Sequence, residues 1–200
     1  MIDRRNLLKL GALAGAAAFL PLERLTSAPA SAASATASPP VPLFDVPLTI
    51  PPVLQPRKHV GSVDYYDVTM READVEILRG VKSRLWTYNG SFPGPTIKAR
   101  AGRPVVIRQH NKLTEPTAVH LHGGNVPSNS DGLPGDEIQP GGTRDYFSPN
   151  RQPGSSLWYH DHVHHLESPH TYRGLSGLYL ITDRAEERLR LPEGKYDIPL

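Results

Sequence analysis

The chain has 200 residues, 22 Lys and Arg against 20 Asp and Glu, a formal charge of +2, and no cysteine. So even a balance gives no basic field for nucleic acid. Without cysteine, packing alone must hold the fold, and no thiolate ligand exists within these residues.

Residues 1–35 read as an export signal: Asp3-Arg4-Arg5-Asn6-Leu7-Leu8-Lys9, a Gly/Ala/Leu run to Leu20, then Ala30-Ser31-Ala32 and Ala33-Ser34-Ala35 as small-residue cleavage sites. The apolar stretch is too short and too glycine-rich for a stable membrane span. Arg4-Arg5 followed by Asn6-Leu7-Leu8-Lys9 resembles the twin-arginine signal, so the expected location is periplasmic or secreted. Removing this segment leaves about 165 residues, enough for one domain.

Residues 36–60 read as a proline-rich linker and strap, since the prolines between Pro47 and Pro56 forbid a helix or a central strand. The domain proper is expected over 61–185. Its predicted strands are Tyr66 to Met70, Arg84 to Tyr88 before Asn89-Gly90, Thr96 to Arg100, Pro104 to Gln109, Ala118 to His122, Thr143 to Phe147, Ser156 to His162 and Gly177 to Asp183. Eight short strands with Gly/Pro turns predict an all-β antiparallel sandwich or barrel. Residues 186–200 read as a linker and the opening of a next domain.

Two of these strands carry His120-Leu121-His122 and His160-Asp161-His162. On a strand, residues i and i+2 share a face about 6.5 to 7 Å apart, so each pair aims two imidazoles into one space. Two such pairs point to a metal site, and imidazole alone leaves copper, zinc, iron and nickel open. The run from His160 to His165 superficially resembles the His-x-His-x-Asp-His motif of metallo-β-lactamase-type hydrolases. That motif needs an aspartate where His164 stands, and no long amphipathic helix follows residue 25.

Taken together, Phe92-Pro93-Gly94-Pro95-Thr96-Ile97, the strand before Asn111-Lys112-Leu113, His120-Leu121-His122-Gly123-Gly124, Ser130-Asp131-Gly132-Leu133-Pro134, Trp158-Tyr159-His160-Asp161-His162 and Tyr172-Arg173-Gly174 through Leu180 make the chain similar to the multicopper oxidase family. The resemblance runs from about Leu43 to Leu200 and is to the first cupredoxin domain, nearest the branch of spore-coat laccases and bilirubin oxidases. It implies a Greek-key cupredoxin β-sandwich that is one part of a three-domain protein, with copper as cofactor. By resemblance, His120 binds the type 2 copper, His122 and His160 one copper of the type 3 pair, and His162 the other. That is half of a trinuclear cluster; the remaining ligands and the type 1 site belong to missing C-terminal cupredoxin domains.

The implied partners are dioxygen and a phenolic, amine or metal-ion electron donor. Asp131 matches a family acidic residue near the type 2 copper, a proton relay or a support for a ligand; the residue pattern alone equally allows an Asx-type turn before Gly132. His164 and His165 are expected to turn away from metal, and His59, His110 and His170 to be surface or turn residues. Trp158 and Tyr159 read as packing beside the site, and Trp86 and Tyr88 as core. The alternative reading is a non-catalytic copper-binding or envelope-scaffold protein keeping the same shell.

Overall fold

Alternation of apolar and polar residues builds the strands of the computed structural model, which describes residues 41–200. The predicted export signal, Arg4-Arg5 included, and the first residues of the predicted linker lie outside the described residues.

One sheet contains β1 (Lys58–Val60), β2 (Val63–Leu78), β3 (Val81–Tyr88), β5 (Val105–Asn111) and β7 (Thr143–Ser148), in the order β1-β2-β5-β7 with β3 also pairing β2. The other contains β4 (Gly94–Arg100), β6 (Val119–His122), β8 (Ser155–Asp161) and β9 (Ser176–Thr182), in the order β4-β9-β8-β6. Every second residue turns inward. Tyr66, Val68, Met70, Val105, Ile107 and Tyr146 from the first sheet bury against Ile97, Val119, Leu157, Tyr159, Tyr179 and Ile181 from the second. Each aliphatic side chain so buried contributes roughly 1.5–3 kcal/mol relative to exposure.

All eight predicted strands are present, and an all-β sandwich is what forms. Three differences have physical causes. The sheets are mixed, not wholly antiparallel: β2 runs parallel to β5, and β4 to β9. Strands far apart in sequence meet there by crossing between sheets, which a strand-by-strand reading does not reveal. Second, β2 runs on to Leu78 through Arg71-Glu72-Ala73-Asp74, where the pattern loses its buried positions; cross-strand ion pairs from Arg84 to Glu72 and Asp74 line this exposed ribbon with β3.

Third, a short helix, α1 (Glu167–Arg173), follows β8. Pro169 lies in its first turn, where a missing N–H costs little. Gly174 ends it at φ +124°, packed so closely that an added Cβ would lie 2.4 Å from the Trp86 carbonyl oxygen. A second helix, α2 (Arg184–Glu187), is capped by the Asp183 carboxylate accepting from the N–H groups of Ala185 and Glu186.

Ahead of Gly61, the strap already pairs: Thr96 N–H donates to the Pro52 carbonyl at 2.8 Å and Leu54 N–H to the Thr96 carbonyl at 2.9 Å. Among the described residues, no helix is long and apolar enough to cross a membrane.

Candidate metal centre

The site lies on the outer face of the four-stranded sheet, at its β6 edge. In the antiparallel pairing of β6 with β8, His120 sits opposite His160, His122 opposite Trp158 and Val119 opposite Asp161. Directly opposed residues share a face. Leu121, Leu157, Tyr159 and Asp161 therefore point to the core, while His120, His122, Trp158 and His160 point away from it. The ladder continues one residue past β8, because His162 N–H donates to the Ala118 carbonyl at 2.7 Å. All four predicted ligands thus converge.

Ring centroids of His120 lie 5.5 Å from His122, 5.5 Å from His160 and 5.0 Å from His162. Nitrogens of His120, His122 and His160 all fall within 4.8 Å of one another. A carbonyl oxygen can only accept, so two tautomers follow from their partners. His120 donates Nδ1–H to the Asp131 carbonyl at 2.6 Å, and His160 donates Nδ1–H to the Asp161 carbonyl at 2.8 Å. Each presents a bare Nε2.

The His160 Nε2 faces the His122 Nδ1 at 3.4 Å. Two imidazole nitrogens each bound about 2.1 Å from one tetrahedral metal lie about 3.4 Å apart, so this gap suits a shared ion. Burial holds the His160 ring below its usual titration range, only partly offset by its bond to the Asp161 carbonyl, and the nearby His120 pushes it the same way. A neutral ring is the ligating form. His162 Nδ1 is buried without a hydrogen-bond partner, an unmet group that a metal would satisfy. Trp158 stacks on His160 at 4.0 Å and 19°, which fixes that ring's rotation.

Asp131 stands beside His120 twice over, its carbonyl as above and its carboxylate Oδ1 3.2 Å from the same Nδ1. What brings it so close is Gly132. At φ +67° it lies against β6, where an added Cβ would sit 2.1 Å from the Val119 carbonyl oxygen.

The remaining histidines separate. His164 and His165 lie against each other, rings tilted by 47°, in the exposed turn after β8, and His59 is exposed and paired with Asp64 at 2.5 Å. His110 is half-buried on β5, 3.6 Å from Asp67. The expectation for His170 was wrong. This side chain is fully buried, with Nδ1 2.9 Å from Asp161 Oδ1 and Nε2 3.1 Å from Glu115 Oε2, and its ring 4.7 Å from Trp86. The signal available was Asp161 itself: a carboxylate at a core-facing strand position needs a buried partner.

Residues 69–186 match the family model described as multicopper oxidase. The chain is 41% identical over 172 residues to a bilirubin oxidase of Albifimbria verrucaria, covering 82% of this chain and 30% of that protein. To a laccase of Bacillus stratosphericus it is 40% identical over 182 residues, covering 76% of this chain and 36% of that protein. The crystal structure of a laccase from Pediococcus acidilactici superposes with a TM-score of 0.73 at 34% identity, over 76% of this chain and 33% of that one. The chain spans about a third of the length of these relatives.

Proposed function

The chain belongs to the multicopper oxidase family, an oxidoreductase family that takes copper, with a cupredoxin-like β-sandwich; on that premise we propose that it supplies half of the ligands of a trinuclear copper cluster in a laccase-like oxidase. The observation that carries this reading is the convergence of four imidazoles on one outer sheet face, with His122 Nδ1 and His160 Nε2 3.4 Å apart. His122 and His160 would share one type 3 copper, His162 would hold the other, and His120 the type 2 ion. The bound coppers would supply the redox chemistry that couples one-electron oxidation of a phenolic, amine or metal-ion donor to reduction of dioxygen to water.

The chain's own contribution is ligand orientation. Carbonyls of Asp131 and Asp161 set the tautomers of His120 and His160, and Trp158 fixes the His160 ring. The Asp131 carboxylate, 3.2 Å from His120, would also hold or pass a proton at the edge of the site. One side of each ion would be left open, because His120 and His122 face outward on an edge strand, and further cupredoxin domains would close it. A non-catalytic scaffold would have no use for four imidazoles so aligned. Arg4-Arg5 would direct export by the twin-arginine route to the periplasm or beyond, and changing both to lysine should trap a reporter fusion in the cytoplasm.

The test is copper titration of the purified protein and of single variants. His120→Ala and His160→Ala are expected to lose most copper uptake, while His59→Ala keeps it. Equal uptake by His160→Ala and the parent would overturn the assignment.

A further inference from the structure

Asp161 is the residue through which the second histidine pair is held. It is wholly buried, and every polar atom it offers is used. Its carbonyl accepts from His160 Nδ1. Its Oδ2 accepts from Ala118 N–H at 3.0 Å, just before β6, and its Oδ1 from Val163 N–H at 3.2 Å, just after His162. One side chain thus ties the start of the strand carrying His120 to the turn leaving His162, while its backbone fixes the ring between them.

A buried carboxylate is expensive to hold by neutral donors alone. Its only side-chain partner among the described residues is His170 on α1, whose Nδ1 reaches Oδ1 at 2.9 Å. The other nitrogen of His170 meets Glu115, which is held in turn by Arg173 at 3.0 Å, and the Arg173 guanidinium lies 4.5 Å over Trp86. Both ring nitrogens face carboxylate oxygens, so both donate, and the ring cannot rotate without losing one bond. The backbone repeats the link: Asp161 N–H donates to the Leu175 carbonyl at 3.3 Å, and Leu175 N–H to the His170 carbonyl at 3.1 Å.

We propose that His170 is a positioning residue for the metal centre, a strut clamped between Glu115 and Asp161 that keeps the Asp161 carboxylate where it can fix both ends of the second histidine pair. It touches no predicted ligand itself, and acts through Asp161. The electrostatics agree: burial disfavours charge on His170, yet its bonds to Asp161 and Glu115 outweigh this and hold the ring above its ordinary titration range. The inference rests on His160 and His162 being copper ligands only for its consequence; the strut itself exists without metal.

The experiment compares the full chain with His170→Asn, His170→Phe and Glu115→Ala. In the metal-free protein, amide hydrogen exchange is followed at Ala118 and Val163, with Val106 and Ile107 in the other sheet as reference. His170→Phe should speed exchange at Ala118 and Val163 by on the order of tenfold more than at the references. His170→Asn, whose amide N–H can still donate to Asp161, should restore most of the protection. Glu115→Ala, at the protein surface, should speed the same two amides by about threefold without emptying the core, and it decides the matter if His170→Phe does not fold.

With copper, His170→Phe should bind roughly tenfold more weakly or worse, with a changed Cu(II) electron paramagnetic resonance spectrum, and His170→Asn should bind close to the parent. Uniform acceleration in both sheets, unchanged exchange in Glu115→Ala, or Asn behaving like Phe would overturn the strut. Failure of the parent to bind copper would overturn the functional reading alone, since the exchange measurement contains no metal.

Discussion

Gly132→Ala should damage stability and the metal centre together, whereas Gly102→Ala should cost stability alone. Both glycines have positive φ, +67° and +77°, so alanine at either carries the left-handed cost of about 1–2 kcal/mol. At Gly102 an added Cβ meets nothing within 4 Å. At Gly132 it would lie 2.1 Å from the Val119 oxygen, 2.4 Å from the Val119 carbonyl carbon and 2.7 Å from the His120 nitrogen. Forcing atoms into a packed site adds about 1–3 kcal/mol. The extra loss corresponds to a Tm gap of about 2–12 °C between the two variants for a domain of this size. Relief of the clash must move either the Val119–His120 peptide or the Asp131 carbonyl, so the His120 hydrogen bond should lengthen and copper affinity fall in Gly132→Ala only. Thermal melts of the metal-free proteins and parallel copper titrations read both effects. Equal Tm losses with equal copper affinity would show that the 131–132 loop does not press on β6 as described.

Tyr159→Phe removes the buried hydroxyl that donates to the Pro95 carbonyl at 2.6 Å, and should cost about 1–3 kcal/mol in urea denaturation while sparing copper uptake; no loss would mean that bond contributes nothing. Acid stability should depend on Asp64, whose carboxyl is held below its usual range chiefly by its hydrogen bonds to Arg103, against burial and with help from His59. Because the folded value lies below the unfolded one of about 3.9, the stabilisation is present above that pH and is lost as pH falls through the folded value. The denaturation midpoint of the parent should therefore drop more steeply in that acid range than that of Asp64→Asn, and parallel curves would refute the linkage.

The histidine pairs were legible in the sequence because the period of two that makes a strand also decides which side chains share a face. His120 and His160 needed no long-range knowledge beyond the pairing of their strands. His170 needed more. Within Glu167-Ser168-Pro169-His170 it looks like any polar turn residue, and its burial is decided by Asp161 nine positions earlier and by Glu115 on another loop. Helix α1 was hidden for a related reason: seven residues with a proline and no apolar stripe carry no helical period. The outer half of β2 escaped because its support comes from cross-strand charges, not from alternation. Asp131 was visible as an acidic residue before a glycine, but only the crowding of Gly132 against Val119 explains why its carbonyl reaches His120.

The parallel pairing of β4 with β9 joins residues roughly eighty positions apart, Gly94 with Gly177 for instance. Strand β8 lies between β9 and β6, so the edge on which both histidine pairs sit gains its backing only when residues 176–182 are in place. During synthesis from the N-terminus, His120 and His122 would leave the ribosome well before the chain can complete the sheet that aligns them with His160 and His162. Long-range closure of this kind is slow compared with local hairpins. The β2–β3 hairpin needs only local pairing, whereas the face that carries the four histidines is backed by β9 only once that long-range pairing is made.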